Sequence, residues 1–194
     1  MGIFSSYKII VKDPTISRKL FSEVGIWSIV WLIARVYLGW GWLSAGWEKI
    51  SGKGANPWGP ESVLAFWQRV VEVPEPPAHP EIVYGWYRGF IQLLMEVNAQ
   101  TWFAPTVAWG EFLVGMLLIL GAFVGIAATA GAFMNLNFML SGVASVNPIM
   151  YSLAIILILS WKTAGWWGLD RWLLPKIGVP WSKVEVKDAN TPNN

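Results

Sequence analysis

The chain has 194 residues, 55% of them hydrophobic and 13% charged, with a formal net charge of +2. That balance excludes an ordinary soluble domain, and a small net charge without a basic run excludes a nucleic-acid footprint. With no cysteine, the chain alone cannot run dithiol chemistry, hold an iron–sulfur cluster or present a thiolate nucleophile.

Residues 1–24 are polar and mixed, with Lys8, Lys12, Arg18 and Lys19 ahead of the first apolar stretch. From Gly25 to Trp47 the only charge is Arg35. A bilayer core needs ~20 apolar residues per helix, so span one is predicted at about 25–47. It begins too late and runs too long for a cleavable signal, and it reads as a retained span. A polar loop follows over about 48–101. In it, GPESVLAFWQRVVEV opens on turn residues and then spaces its apolar residues as a short amphipathic helix. PEPPAHP breaks that helix, and EIVYGWYRGFIQLLMEV resumes as a second one, expected to lie on the membrane face or to cap the bundle.

Between Phe103 and Trp161 the only charge is Glu111. Three further spans are predicted there, at about 103–122, 126–144 and 148–169. LGAFVGIAATAG leaves room for only a tight turn between spans two and three, while ASVNP gives a firmer break before span four. Many of the 15 tryptophans fall near span ends, where amphipathic rings gather. The expected fold is an all-α integral membrane protein. It is a four-transmembrane-helix bundle (25–173) between a cytoplasmic N-terminal segment (1–24) and a polar cytoplasmic tail (174–194).

Orientation follows from Lys and Arg near the spans. The N-terminal segment carries four, and the region from Lys162 onward carries Lys162, Arg171, Lys176, Lys183 and Lys187. The first loop also holds four, spread over a longer stretch beside six acids. Both termini are therefore expected in the cytoplasm of a prokaryotic cell, with the long loop outside and the spans in the cytoplasmic membrane.

Arg35, Gly39, Trp42, Gly46 and Lys49 recur at four- and three-residue intervals, on one helix face. Glycines there admit a second helix closely, and an arginine there must face protein or trapped water, since mid-membrane lipid exposure costs ~3 kcal/mol or more. Glu111, with Gly115 on its face, is the expected partner. Arg35 lies ~15 Å from the start of span one, Glu111 ~12 Å from the opposite surface and Asn135 ~14 Å from the first, so the three are expected to meet near mid-membrane. Gly131, Asn135, Phe138 and Gly142 repeat the face pattern on span three, and Asn137 adds a second amide.

Each of these residues also has a plainer reading. An Arg–Glu pair can fix helix register without adding net stability. Asn135 and Asn137 suit interhelical hydrogen bonds, and Trp42 suits an interfacial anchor. Glu48 and Lys49, at the outer end of span one, suit either anion binding or snorkelling to headgroups. His79, the single histidine, lies among prolines and makes no metal site. Asp170–Arg171 reads as a local ion pair.

The span-one pattern, WGEFLVGMLLILG (Trp109–Gly121), GAFMNLNFMLSGVASVNP (Gly131–Pro148) and AGWWGLDRWLLP (Ala164–Pro175) together resemble the DoxX/DoxD-like membrane proteins. The resemblance covers about residues 30–175. It implies a four-helix membrane bundle, and the family includes the membrane subunit of thiosulfate:quinone oxidoreductase, which oxidises thiosulfate to tetrathionate and passes the electrons to quinone. Many members are known by sequence alone. No DoxA-like domain is attached here, so such a partner is expected as a separate polypeptide.

The expectation is therefore the membrane subunit of a quinone-linked oxidoreductase. Arg35 and Glu111 are its candidate catalytic residues, and Trp42, Lys49, Asn135 and Asn137 its candidate substrate- and quinone-binding residues. Quinone is the acceptor, and no metal, haem or iron–sulfur ligand set is evident. Lipid, quinone and a redox subunit are the expected partners, homo-oligomerisation is open, and nucleic acid is not a partner. The alternatives are a non-catalytic membrane anchor or assembly module for an oxidoreductase, and a small-solute transporter, although no discontinuous helix pair stands out for the latter.

Overall fold

A computed structural model describes residues 14–54 and 57–177. The first part of the N-terminal segment and most of the polar tail lie outside the described residues. Among the described residues every regular element is a helix: α1 (Thr15–Phe21), α2 (Ile26–Ser51), α3 (Pro60–Val71), α4 (Gly85–Glu96), α5 (Gln100–Leu120), α6 (Val124–Leu140), α7 (Asn147–Leu159), α8 (Trp161–Ala164) and α9 (Asp170–Ile177). By length and composition, α2 and α5 are long and apolar enough to cross a membrane, and α6 and α7 are shorter apolar helices.

The helix ends follow local chemistry. Gly52 and Gly121 take left-handed φ values of 65° and 66° and stop α2 and α5, a conformation that costs glycine no Cβ clash. The expected tight turn between α5 and α6 is Gly121–Phe123, and α7 opens with proline in its first turn, as ASVNP suggested. The fourth apolar segment is shorter than expected. It breaks at Ser160, whose hydroxyl donates back to the Ile156 carbonyl at 2.8 Å, and α8 restarts the chain for one turn. Two short helices flank the bundle: α1 lies in the expected polar N-terminal segment, and α9 straddles the expected boundary between bundle and tail at residue 173.

α2 and α5 run antiparallel at backbone contact. A Cβ at Gly115 would strike the Leu43 amide and the Gly39 carbonyl, and one at Gly46 would strike the Phe112 backbone. Small residues on both faces permit that approach, and dispersion across the seam holds it. α6 returns beside α5, where Gly131 makes room for the Trp42 indole, and α7 packs on α6 with Met150 reaching Gly41 of α2. The core between these helices is built around Leu38, Trp42, Leu118, Ala128, Ala154 and Leu157.

A second core forms at the far end of α2, where α3, α4 and the start of α5 bury Val63, Trp67, Val70, Ile82, Tyr87 and Ile91. The loop between the first two long apolar helices is thus a folded cap. Trp58, just before α3, ties it down by donating to the Ala104 carbonyl at 2.8 Å.

Gly115→Val forces α2 and α5 apart and is expected to lower the unfolding free energy by about 3 kcal/mol, the upper range for overpacking. Gly89→Ala, on α4 with open space around the new methyl, is expected to be neutral or to gain up to about 1 kcal/mol. Thermal unfolding of the two purified variants checks the pair.

Candidate functional site

Arg35 and Glu111 do not meet. Glu111 adjoins Phe112, which faces Gly46, so it sits eleven residues further along α2 than Arg35, about 16 Å at 1.5 Å per residue. Side-chain direction widens the gap. Side chains lean toward the N-terminus of their own helix, and antiparallel helices therefore send these two to opposite ends of the seam. The expectation placed the two at similar depths from assumed span ends; the register set by Gly46 against Phe112 separates them before the lean is added.

Arg35 reaches instead to the α5–α6 turn. It is fully buried, and its Nη1 donates to the Ala164 carbonyl at 3.0 Å and its Nη2 to the Trp167 carbonyl at 3.3 Å. Gly121 and Gly168 leave the room that the guanidinium fills. Asp170 accepts from the Phe123 and Val124 amides at 2.6 and 2.9 Å, capping α6 where its free N–H groups and dipole favour a carboxylate. Burial pushes the Asp170 carboxyl above its ordinary range, against the two amide bonds and the Arg35 charge, which pull it down. The expected Asp170–Arg171 pair is replaced: Arg171 stacks on Trp166 and Trp172, 5.1 and 6.0 Å from their ring centres. Further clasps hold this end, with the Asp170 amide donating to Gly121 at 2.8 Å and the Trp167 indole to Ser28 at 3.0 Å.

Glu111 pairs with Lys49 at 2.6 Å, and the carboxylate side chain is 1% exposed while the lysine is 21% exposed. Lys49 also lies 5.0 Å over the Trp58 ring, so the cap roofs the pair. The lysine reaches inward from the last turn of α2 by the same lean that carries Arg35 away.

Beside this pair lies a set of buried polar groups without partners. The Trp42 Nε1 and both amide atoms of Asn135, Nδ2 and Oδ1, are buried and make no hydrogen bond within the protein. Gly131 faces Val114 and the Trp42 Nε1, and Gly110 faces Met134, a register that puts Asn135 level with Glu111. Asn135 and Glu111 therefore do share a depth, as expected, without Arg35. A buried amide or indole N–H left unbonded costs ~1–3 kcal/mol, so native proteins normally pair such groups or keep them for a ligand or ordered water.

Asn137 is engaged elsewhere. Its Nδ2 donates to the Phe133 carbonyl at 2.8 Å, and the Tyr87 hydroxyl of α4 lies 3.2 Å from its Oδ1 and 3.2 Å from the Ser141 hydroxyl. Burial raises the Tyr87 phenol above its ordinary value, with the Ser141 bond working the other way. On the same face of α6, toward its N-terminus, a groove of about 820 Å³ is lined by Ile126, Ala130 and Phe133 with Phe123, Ile158 and Leu174, largely apolar with Asp170 also in its wall. Among the described residues no group of three His, Cys, Asp or Glu is placed to hold a metal.

The DoxX family model matches residues 30–144, more than half of the chain. The chain belongs to the DoxX family. No curated protein and no solved structure matches it. DoxX is a membrane family, in keeping with the two long apolar helices here. The DoxX match takes in Arg35, Trp42, Lys49, Glu111, Asn135 and Asn137, but stops before Ala164, Trp167 and Asp170, the groups that surround the arginine. Trp58 and Tyr87, which fasten the cap, were missed by the sequence reading. Tyr87 belonged to a segment read only for its amphipathic pattern, and Trp58 lies one residue ahead of the other such segment.

Two substitutions separate the polar ends. Lys49→Met strands a buried carboxylate and is expected to cost ~3–5 kcal/mol, much of it restored by adding Glu111→Leu. Asp170→Ala removes the α6 cap at ~1–2 kcal/mol, and Glu111→Leu is not expected to rescue it. Denaturation of the single and double variants in detergent measures both.

Proposed function

We propose that this DoxX protein is the quinone-binding membrane subunit of an oxidoreductase complex, with Trp42 and Asn135 holding the quinone head beside the Lys49–Glu111 pair. The carrying observation is the set of unpartnered buried donors and acceptors on Trp42 and Asn135. An indole N–H donates to a carbonyl oxygen. An asparagine amide offers both Nδ2–H and Oδ1, so it suits the carbonyl of a quinone and the hydroxyl of a quinol alike. A bound quinone supplies two-electron, two-proton acceptor chemistry. The chain supplies orientation and electrostatics: Glu111 is a carboxyl able to hold a proton in a dry site, and Lys49 is the wetter member of the pair, through which that proton exchanges.

We take α2, α5, α6 and the α7–α8 pair as the four crossings. At 1.5 Å per residue α6 spans about 26 Å, and Asn147–Ala164 about 27 Å, each close to a ~30 Å hydrocarbon core. The balance of Lys and Arg favours a cytoplasmic membrane with both termini inside and the cap outside.

Electrons then arrive from a separate redox subunit of the DoxA-like kind. Thiosulfate is the finer form of the proposal: two thiosulfates joined by a sulfur–sulfur bond release the two electrons that a quinone accepts. Arg35 and Lys49, the two cations of span one that could hold a thiosulfate dianion, are both engaged within the protein. That favours oxidation of thiosulfate on the partner. A non-catalytic anchor is the second reading, favoured by Arg35, whose hydrogen bonds are internal and clamp the α8–α9 connection onto α2.

The test uses purified protein in lipid nanodiscs with a short-chain quinone. Wild type is expected to bind it and to gain thermal stability. Trp42→Phe and Asn135→Leu each lose at least about tenfold in affinity, or ~1.4 kcal/mol. Without ligand, Asn135→Leu is expected to be as stable as wild type or more so, since it removes two unpaired polar atoms. No quinone binding by wild type, alone or with its redox partner, overturns the proposal in favour of the anchor.

A further inference from the structure

We propose that α4 is seated in the lipid of the cap-side leaflet, so that one helix of the cap is wet and the other oily. α4 carries two apolar faces. Tyr87 and Ile91 are buried in the cap core, while Trp86, Phe90, Leu93 and Val97 stand 67%, 44%, 54% and 61% exposed. These four recur at intervals of four, three and four residues, within about 60° of arc at 100° per residue. Gln92 and Glu96, also exposed, flank the stripe on one edge. A helix with a core face, an apolar outer face and a polar edge suits the plane of a membrane interface. A helix bathed in water has no use for the second apolar face.

The neighbouring helix supplies the contrast. α3 turns Glu61, Ala65, Gln68 and Arg69 outward, an ordinary water-facing surface. Continuity names lipid as the occupant. The Tyr87 hydroxyl meets the Asn137 carbonyl and Ser141, which sets α4 against the last turns of α6. That helix exposes Phe133 and Leu136 along the same side of the bundle. α4 leads directly into α5, which exposes Trp102 and Trp109. The stripe thus extends the apolar belt of the spans, with Trp86 and Tyr84 at one end where interfacial aromatics belong.

The absence of cysteine allows a direct measurement. Single variants Phe90→Cys, Leu93→Cys and Val97→Cys, each replacing an exposed side chain, are spin-labelled in vesicles of phosphatidylethanolamine and phosphatidylglycerol. Their relaxation by oxygen and by a water-soluble nickel chelate is compared with Phe133→Cys on α6 and Ala65→Cys and Gln68→Cys on α3. The α4 labels are expected to match Phe133→Cys, with an oxygen-to-nickel ratio several-fold above those on α3. A ratio equal to that of the α3 labels overturns the proposal by placing the stripe in water. Protection from both reagents overturns it by placing a second copy or a partner on the stripe. Neither result depends on quinone binding.

Discussion

The backbone contact between α2 and α5 governs everything polar in this bundle. Gly39, Gly46 and Gly115 let the two helices touch where any larger residue would hold them apart. At that separation no side chain at the seam's centre has room to cross it. The charged side chains must leave along the helix axis, each toward the N-terminus of its own helix. In an antiparallel pair that rule sends Arg35 one way and Glu111 the other. The seam therefore creates two polar sites, one at each end, where the residue spacing alone suggested one in the middle.

The two sites differ in how far their polar groups are satisfied. Around Arg35 both Nη atoms have carbonyl acceptors and Asp170 has two amides, leaving only the buried Arg35 Nε without a partner among the described residues, and the clasp joins α2, the α5–α6 turn and the α8–α9 connection. Such a site gives the bundle a fixed geometry and leaves little to offer a ligand. At the other end Lys49 and Glu111 satisfy one another, yet Trp42 and Asn135 beside them do not. Unpaired groups in a core lower stability, and a fold that retains them next to a charge pair has the features of a site awaiting a hydrogen-bonding guest. Function is better sought in that incomplete network than in the more conspicuous arginine.

Much of this was legible in the sequence. The first three apolar segments, the turn at Gly121, the break before Pro148 and the two amphipathic helices of the loop appear where periodicity and turn residues put them, while the fourth segment ends at Leu159, short of the expected 169. The face shared by Arg35, Gly39, Trp42, Gly46 and Lys49 was readable too, as was the common depth of Glu111 and Asn135. The partner of Arg35 was not, for two physical reasons. Its acceptors are the backbone carbonyls of Ala164 and Trp167, and a carbonyl carries no mark of side-chain identity. Its level relative to Glu111 depends on the register of α2 against α5, which residue spacing does not encode. Lys49 was readable as a charge at a helix end, but its bond to Glu111 needed the register that the glycines impose.

The cap completes the asymmetry between the ends. Trp58 lies over Lys49 and fastens to the start of α5, so any movement of the loop before α3 changes the surroundings of the one charge in that site with access to water. On the other flank, Tyr87 of α4 binds to Asn137, two residues along α6 from the unpartnered Asn135. The cap thus touches the site from two sides, through a lysine on one and a helix carrying an asparagine on the other. A proton exchanging at Lys49 and a lipid-soluble molecule arriving beside α4 would approach the same buried groups from opposite faces. That division suits chemistry in which protons come from water and the acceptor comes from the bilayer.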